Sequence, residues 1–221
     1  MRNRFVSNII PQSQDASFNL QSLYERLPIL PLEKTVEDTS KLVPDILKHV
    51  SIAKEKCTRD STILTLDESA AIYLYTMPSS SVYKSLNIAL RGENRQLLHP
   101  WLPFLKLLIT ALEKLPPFKD TIWRGVASDE TSKFIGGSVY TWWGITSCSK
   151  SPNIAQKYIG ESGTLFAIKT AHGKDVTMFS ANRDEEEVIL MPATRCLAKS
   201  QAAELLSRLY IIHLQEVYLQ E

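Results

Sequence analysis

The sequence predicts an α+β fold in which a helical N-terminal half packs on a mixed β-structure formed by the C-terminal half. Three observations carry this. Apolar residues recur at helical spacing as far as Pro116-Pro117. Beyond them come short runs rich in β-branched and aromatic residues. Strands and helices nowhere alternate as a doubly wound parallel sheet requires, and Gly136-Gly137 lies outside any phosphate-loop frame. No internal repeat is visible.

With 221 residues against a usual domain of ~100 to 200, one large domain, or one domain with an appended segment, is expected. The division falls at residues 1–59, an N-terminal arm with helices and a regulatory or docking role, and 60–221, the main domain. Residues 1 to 32 are polar and interrupted by Pro11, Pro28 and Pro31, so they read as a surface or disordered arm. From Glu33 to Lys56, Leu42, Val43, Ile46, Leu47 and Val50 give one or two short helices. Thr65-Leu-Asp-Glu68 is a capping box that opens a helix through Tyr75. Ser81 to Arg91 forms the next helix and ends at Gly92; Trp101 to Leu115 forms a third, stopped by the two prolines. Strands are expected at Thr121–Val126, Val139–Thr146, Thr164–Lys169, Val188–Met191 and Leu209–Leu219.

Composition excludes several classes. Apolar residues make up 44% and charged residues 22%, which disfavours disorder, collagen and coiled coil. A net charge of +1 gives no field toward nucleic acid or an acidic membrane. The sequence shows neither a secretory signal nor an apolar run long enough to span a bilayer. Cys57, Cys148 and Cys196 are scattered and odd in number, which suits a reducing, cytoplasmic setting. The four histidines are scattered too, so no metal site is expected.

Chemistry concentrates in three segments. Asp184-Glu-Glu-Glu-Val-Ile-Leu leads carboxylates into an apolar strand, and period two would turn Glu185 and Glu187 to one side and Glu186 to the other. Paired carboxylates can stabilise a cationic transition state and take up a proton, although a solvated acidic strand edge accounts for the same residues. Arg124, inside the apolar run Thr121–Val126, needs an anion: a diphosphate or one of these glutamates. Gly125 beside it would let a ligand approach the backbone. Gly144 to Pro152 is a hydroxyl cluster in which Ser151 reads as a helix cap, Ser147 is left over, and Cys148 reads as a small packed thiol.

In the order Trp-Arg124-Gly, Ile-Thr-Ser147-Cys-Ser149, Glu185-Glu186-Glu187-Val-Ile-Leu, the chain from about residue 60 onward resembles the Arg-Ser-Glu class of arginine-specific, cholera-toxin-like mono-ADP-ribosyltransferases. Ile72-Tyr-Leu-Tyr75-Thr, Tyr83 to Arg91 and Lys174 to Ser180 look like further family pieces. The resemblance implies a fold of two small sheets around a central cleft for NAD+, the co-substrate. Arg124 would hold its diphosphate, the Gly125 backbone would meet the carboxamide, and Ser147 with Ser149 would position NAD+ and Glu187. Glu187 would bind the ribose 2′-hydroxyl and stabilise the oxocarbenium ion as nicotinamide leaves. Glu185 would orient and deprotonate an arginine on an acceptor protein. Phe179, Ser180, Asn182 and Arg183 would form the acceptor-recognition turn.

Tyr83 and Asn87, one helical turn apart, match a Tyr-x-x-x-Asn pair that contacts NAD+ in some relatives; a partly buried aromatic and a helix-surface amide is the alternative reading. Tyr158 would stack on nicotinamide or simply fill the core. Trp123 and Cys148 depart from the commoner tyrosine and threonine, and no second arginine follows Ser-x-Ser to grip the phosphates. The partners expected are NAD+ and an acceptor protein, with no nucleic acid or membrane, for a monomeric enzyme. NAD+ hydrolysis at the same site, or a non-catalytic NAD-binding module, is the alternative.

Overall fold

The computed structural model describes residues 19–159, 162–199, 203–206 and 209–217. Seven α-helices are seen among them: α1 (Gln21–Tyr24), α2 (Leu32–Thr35), α3 (Ile46–Lys56), α4 (Leu66–Thr76), α5 (Val82–Arg91), α6 (Leu102–Lys114) and α7 (Pro152–Gln156). Thr65 and Glu68 form the capping box: Thr65 Oγ1 accepts the Glu68 N–H, and Glu68 Oε2 accepts the Thr65 N–H. Glu68 is nonetheless buried, because Lys114 at the end of α6 donates to both its oxygens at 2.6 and 2.8 Å. The N-terminal residues in view are not a loose arm: Leu20 is buried, and Lys106 on α6 donates to the Glu25 carbonyl.

The strands are β1 (Pro117–Phe118), β2 (Thr121–Val126), β3 (Val139–Trp142), β4 (Thr146–Ser149), β5 (Gly163–Lys169), β6 (Gly173–Asp175), β7 (Glu187–Leu190), β8 (Thr194–Ala198), β9 (Ala203–Leu206) and β10 (Leu209–Glu216). They run in one hydrogen-bonded path, β1-β6-β7-β4-β2-β5-β10-β8-β3, with β9 also on β10. The path divides where two small sheets were expected. β5 pairs with all six residues of β2, whereas β4 meets β2 at one registered pair, Trp123 with Ser149. One half is thus β1-β6-β7-β4 and the other β2-β5-β10-β8-β3. Val139–Thr146 is two strands, not one; the chain leaves β3 at Trp142 and enters β4 at Thr146 in the other half. Residues 218–219, expected to extend the last strand, lie outside the described residues.

Alternation along β7 separates two cores. Ile189 joins the helices in the first, with Ile145 and Val176; Val188 and Leu190 join Cys148, Phe166 and Trp142 in the second. The helical layer therefore packs on β7 and on the residues that flank β4 and β6. α2 and α3 belong to the same core as α4 to α6.

Candidate active site

Arg124, the hydroxyl pair and Glu187 come from three neighbouring strands, β2, β4 and β7. Register fixes the central contact: Ser149 lies directly opposite Glu187 and Ser147 opposite Ile189, so Ser147, Ser149 and Glu187 share one face. All three are buried. Arg124, only 2% exposed, donates from Nη1 to the Ser147 carbonyl at 2.7 Å. Its guanidinium thus meets the strand carrying the hydroxyls, and the Glu187 charge acts on it as well. Burial pulls its pKa below the ordinary arginine value, and Arg91 on α5 acts in the same direction. Arg91 is a cation that the sequence reading passed over. Its signal was its spacing: it stands one turn beyond Asn87 on the helix that carries Tyr83.

The three glutamates do not alternate along a strand. Arg183–Glu185 is a 3₁₀ turn and Glu186 is left-handed at φ 47°, so the strand begins only at Glu187. The period-two argument fails because three adjacent like charges leading into an extended strand favour a turn that lets Glu185 and Glu186 reach water. Glu187 Oε2 accepts from Ser180 Oγ at 3.2 Å, and Ser180 Oγ also accepts the Asn182 N–H at 3.2 Å. Ser180 thereby ties the turn before the glutamates to Glu187. Glu185 is half-buried and accepts from the Tyr158 hydroxyl at 2.9 Å.

Other expected positions take different duties. The Asn87 amide is spent on the protein: Oδ1 accepts the Ile145 N–H at 2.8 Å, and Nδ2 donates to the Ile145 carbonyl and the Tyr75 hydroxyl, both at 3.1 Å. Tyr83 is buried in the helical core. Asn87 therefore clamps the chain two residues before Ser147. The space left by Gly125 is filled from within: a Cβ there would collide with the Ala155 carbonyl oxygen on α7. Ser151 makes no side-chain cap; its N–H donates instead to Ser149 Oγ at 3.1 Å. Burial pushes the Cys148 thiol up to about 12, so it stays protonated and inert.

Phe179 packs against the helical core, and Arg183 donates to Thr58 Oγ1, which itself donates to the Met178 carbonyl. Around them lies a cavity of about 320 Å³ lined by Lys56, Thr58, Tyr73, Phe179, Ser180, Ala181 and Arg183. Among the described residues no group of three or more His, Cys, Asp or Glu could hold a metal ion. No helix there is long and apolar enough to cross a membrane.

Residues 37–217 match the family described as NAD:arginine ADP-ribosyltransferase. The chain belongs to that family. It is 34% identical over 132 residues to a Mycobacterium avium protein provisionally named NAD(+)–arginine ADP-ribosyltransferase Mav; the match takes in 59% of this chain and 15% of that one. Solved ADP-ribosyltransferases share the fold. The eukaryotic mono-ADP-ribosyltransferase ART2.2 superposes with a TM-score of 0.66 at 22% identity, covering 91% of this chain and 90% of its own. The Vibrio splendidus toxin Vis, solved with agmatine, gives 0.60 at 20% identity over 88% and 89%. Pseudomonas aeruginosa exoenzyme S, bound to carba-NAD, gives 0.59 at 20% over 86% and 90%.

Proposed function

We propose that this family member transfers ADP-ribose from NAD+ to an arginine side chain of a protein and releases nicotinamide. The observation that carries the reading is the pairing of Ser149 with buried Glu187, on the strand whose Ser147 carbonyl accepts from Arg124. The donor set fits NAD+. A buried guanidinium, with Arg91 within its field, supplies positive charge for a diphosphate. Buried hydroxyls and a carboxylate suit a ribose and the positive charge that develops on it. Burial strengthens that charge stabilisation, because water screens it poorly there.

Glu187 steadies the oxocarbenium-like transition state, Ser147 and Ser149 position NAD+ against it, and the ring of Tyr158 offers a face for nicotinamide. The Gly125 backbone serves the carboxamide, while Tyr83 and Asn87 shape the wall through their packing. Glu185 orients the acceptor guanidinium and takes its proton. Phe179, Ser180, Asn182 and Arg183 form the recognition turn. Lys56 and Thr58 line the same cavity as this turn, which supports a docking role for part of residues 1–59. Three buried free thiols fit a reducing, cytoplasmic setting. The partners are NAD+ and the acceptor protein, and the enzyme works as a monomer.

Incubation with NAD+, with and without agmatine, tests the reading by following nicotinamide and ADP-ribosyl-agmatine by mass spectrometry. Wild type forms adduct, Glu185→Gln loses adduct but keeps nicotinamide release, and Glu187→Gln loses both. Nicotinamide without adduct on agmatine or on protein acceptors would make the protein a glycohydrolase. No turnover at all would leave a binding module.

A further inference from the structure

Gly125 on β2 and Glu185 in its turn belong to distant stretches of chain, and α7 with the residues after it connects them. Because Gly125 has no side chain, the Ala155 carbonyl oxygen occupies the space where a Cβ would stand. That same carbonyl accepts the Tyr158 backbone N–H at 3.1 Å. Ala155 is fully buried with Ile159 and Leu165, so the short helix is seated on β2 and β5 as a packed unit. Tyr158 is thereby fixed at its backbone, and its hydroxyl donates to Glu185 Oε1 at 2.9 Å. From the other end, the Glu186 carbonyl accepts the Lys150 N–H at 3.1 Å, which ties the glutamate turn to the loop entering α7.

We propose that the Tyr158 hydroxyl is a positioning group for Glu185, and that it sets how ADP-ribose is divided between a guanidinium acceptor and water. This rests on the transferase reading above. A half-buried glutamate has several rotatable bonds, and an acceptor must find its carboxylate already aimed. Holding one oxygen fixes the direction in which the carboxylate points.

In the transfer, the bond from ribose C1′ to the nicotinamide nitrogen breaks and its electron pair leaves with neutral nicotinamide. A C1′–N bond to the guanidine forms. One guanidinium proton passes to Glu185 and on to solvent, so the product remains a guanidinium. In hydrolysis water supplies the new C1′–O bond and loses the proton, with no guanidinium to orient. A misaimed Glu185 therefore penalises transfer and spares hydrolysis. Tyr158→Phe keeps the aromatic face and deletes only the hydroxyl.

The test uses the whole chain with NAD+ and agmatine, measuring nicotinamide release, adduct and the KM for NAD+ in wild type, Tyr158→Phe, Glu185→Gln and the double variant. In Tyr158→Phe the ratio of adduct to released nicotinamide should fall about tenfold or more, the scale of one hydrogen bond to a charged group. The double variant should show the same adduct-to-nicotinamide ratio as Glu185→Gln alone, since the two residues act as one unit. An unchanged ratio in Tyr158→Phe overturns the proposal and leaves the transferase reading intact. So does a proportional loss of adduct and nicotinamide release, the signature of a merely structural residue. A wild type that never forms adduct sinks the transferase reading and the proposal with it.

Discussion

Strand β2 has two neighbours that hold it in opposite ways. Against β5 it makes six registered pairs, and β5 makes seven more with β10, so backbone hydrogen bonds alone define that half. Against β4 it makes one. At this seam side chains replace the ladder: Arg124 supplies a donor to the Ser147 carbonyl, and Asn87 with Tyr75 answers both polar groups of Ile145. The candidate site sits where backbone pairing is thinnest. A continuous ladder would fill the seam with its own hydrogen bonds, whereas a seam held by side chains can keep a buried cation and carboxylate beside a place for a ligand. The polar residues of the site thus fall into two kinds, those to which the proposed function assigns the substrate and those that hold the seam.

Substitutions can separate the kinds. Glu187→Gln is nearly isosteric and should lower nicotinamide release by about 10²–10³-fold, the scale of one preorganised electrostatic group. Its denaturation midpoint should move less than that of Asn87→Ala, because relief of one buried charge is offset by the weaker compensation of buried Arg124. A large fall in midpoint with activity retained would make Glu187 a holder of the seam. Asn87→Ala should do the reverse. It strands the Ile145 N–H, leaves the Ile145 carbonyl to the Tyr75 hydroxyl alone, and should cost about 2–4 kcal/mol in chemical denaturation at roughly 1 kcal/mol or more per lost bond. Turnover per folded molecule should fall less than in Glu187→Gln.

Phe166→Leu sharpens the contrast from the well-paired side. Phe166 is fully buried on β5 and packs edge-on against Phe134 and Trp142. Truncating its ring should cost about 1–3 kcal/mol, less than deletion to alanine, with NAD+ turnover per folded molecule unchanged. A fall in turnover would mean that the two halves of the sheet are not mechanically separate.

This division explains what the sequence made legible. Helix starts and stops were readable because their signals are local: the Thr65/Glu68 box, Gly92 after α5 and the prolines after α6. β2 was readable because a short β-branched and aromatic run carries it. The break between β3 and β4 was not, since Trp143 to Ile145 is as aromatic and branched as a strand, and only the crossing to the other half-sheet divides it. β6 and β8, at Gly173–Asp175 and Thr194–Ala198, escaped notice because short polar strands depend on their neighbours for pairing. Arg124, Ser147 and Glu187 stood out in the sequence as polar residues in or beside apolar runs, and β2, β4 and β7 bring them together. The saturation of Asn87 depends on tertiary placement, and spacing sets Arg91 on the Asn87 side of α5 without showing that Arg124 lies within its field.

The smallest effect expected is at the edge of the site, where Lys150 beyond β4 donates to Asp175 on β6 at 2.9 Å and so spans β7. Burial alone would raise the Asp175 carboxyl, but the Thr177 hydroxyl and N–H together with Lys150 outweigh it and hold the group below its ordinary value of 3.8. A carboxylate with a depressed folded pKa adds stability that is complete above the ordinary value and drains away as the pH falls toward the lower folded one. Both side chains are about one-third exposed, so solvent screening keeps the contribution to about 0.5–1 kcal/mol. Asp175→Asn should lower the denaturation midpoint at neutral pH by that amount, and the gap from wild type should shrink at about pH 3. A gap that widens in acid would mean that desolvation, not the Thr177 and Lys150 bonds, governs this carboxylate, and that the clasp across β7 adds nothing to the seam.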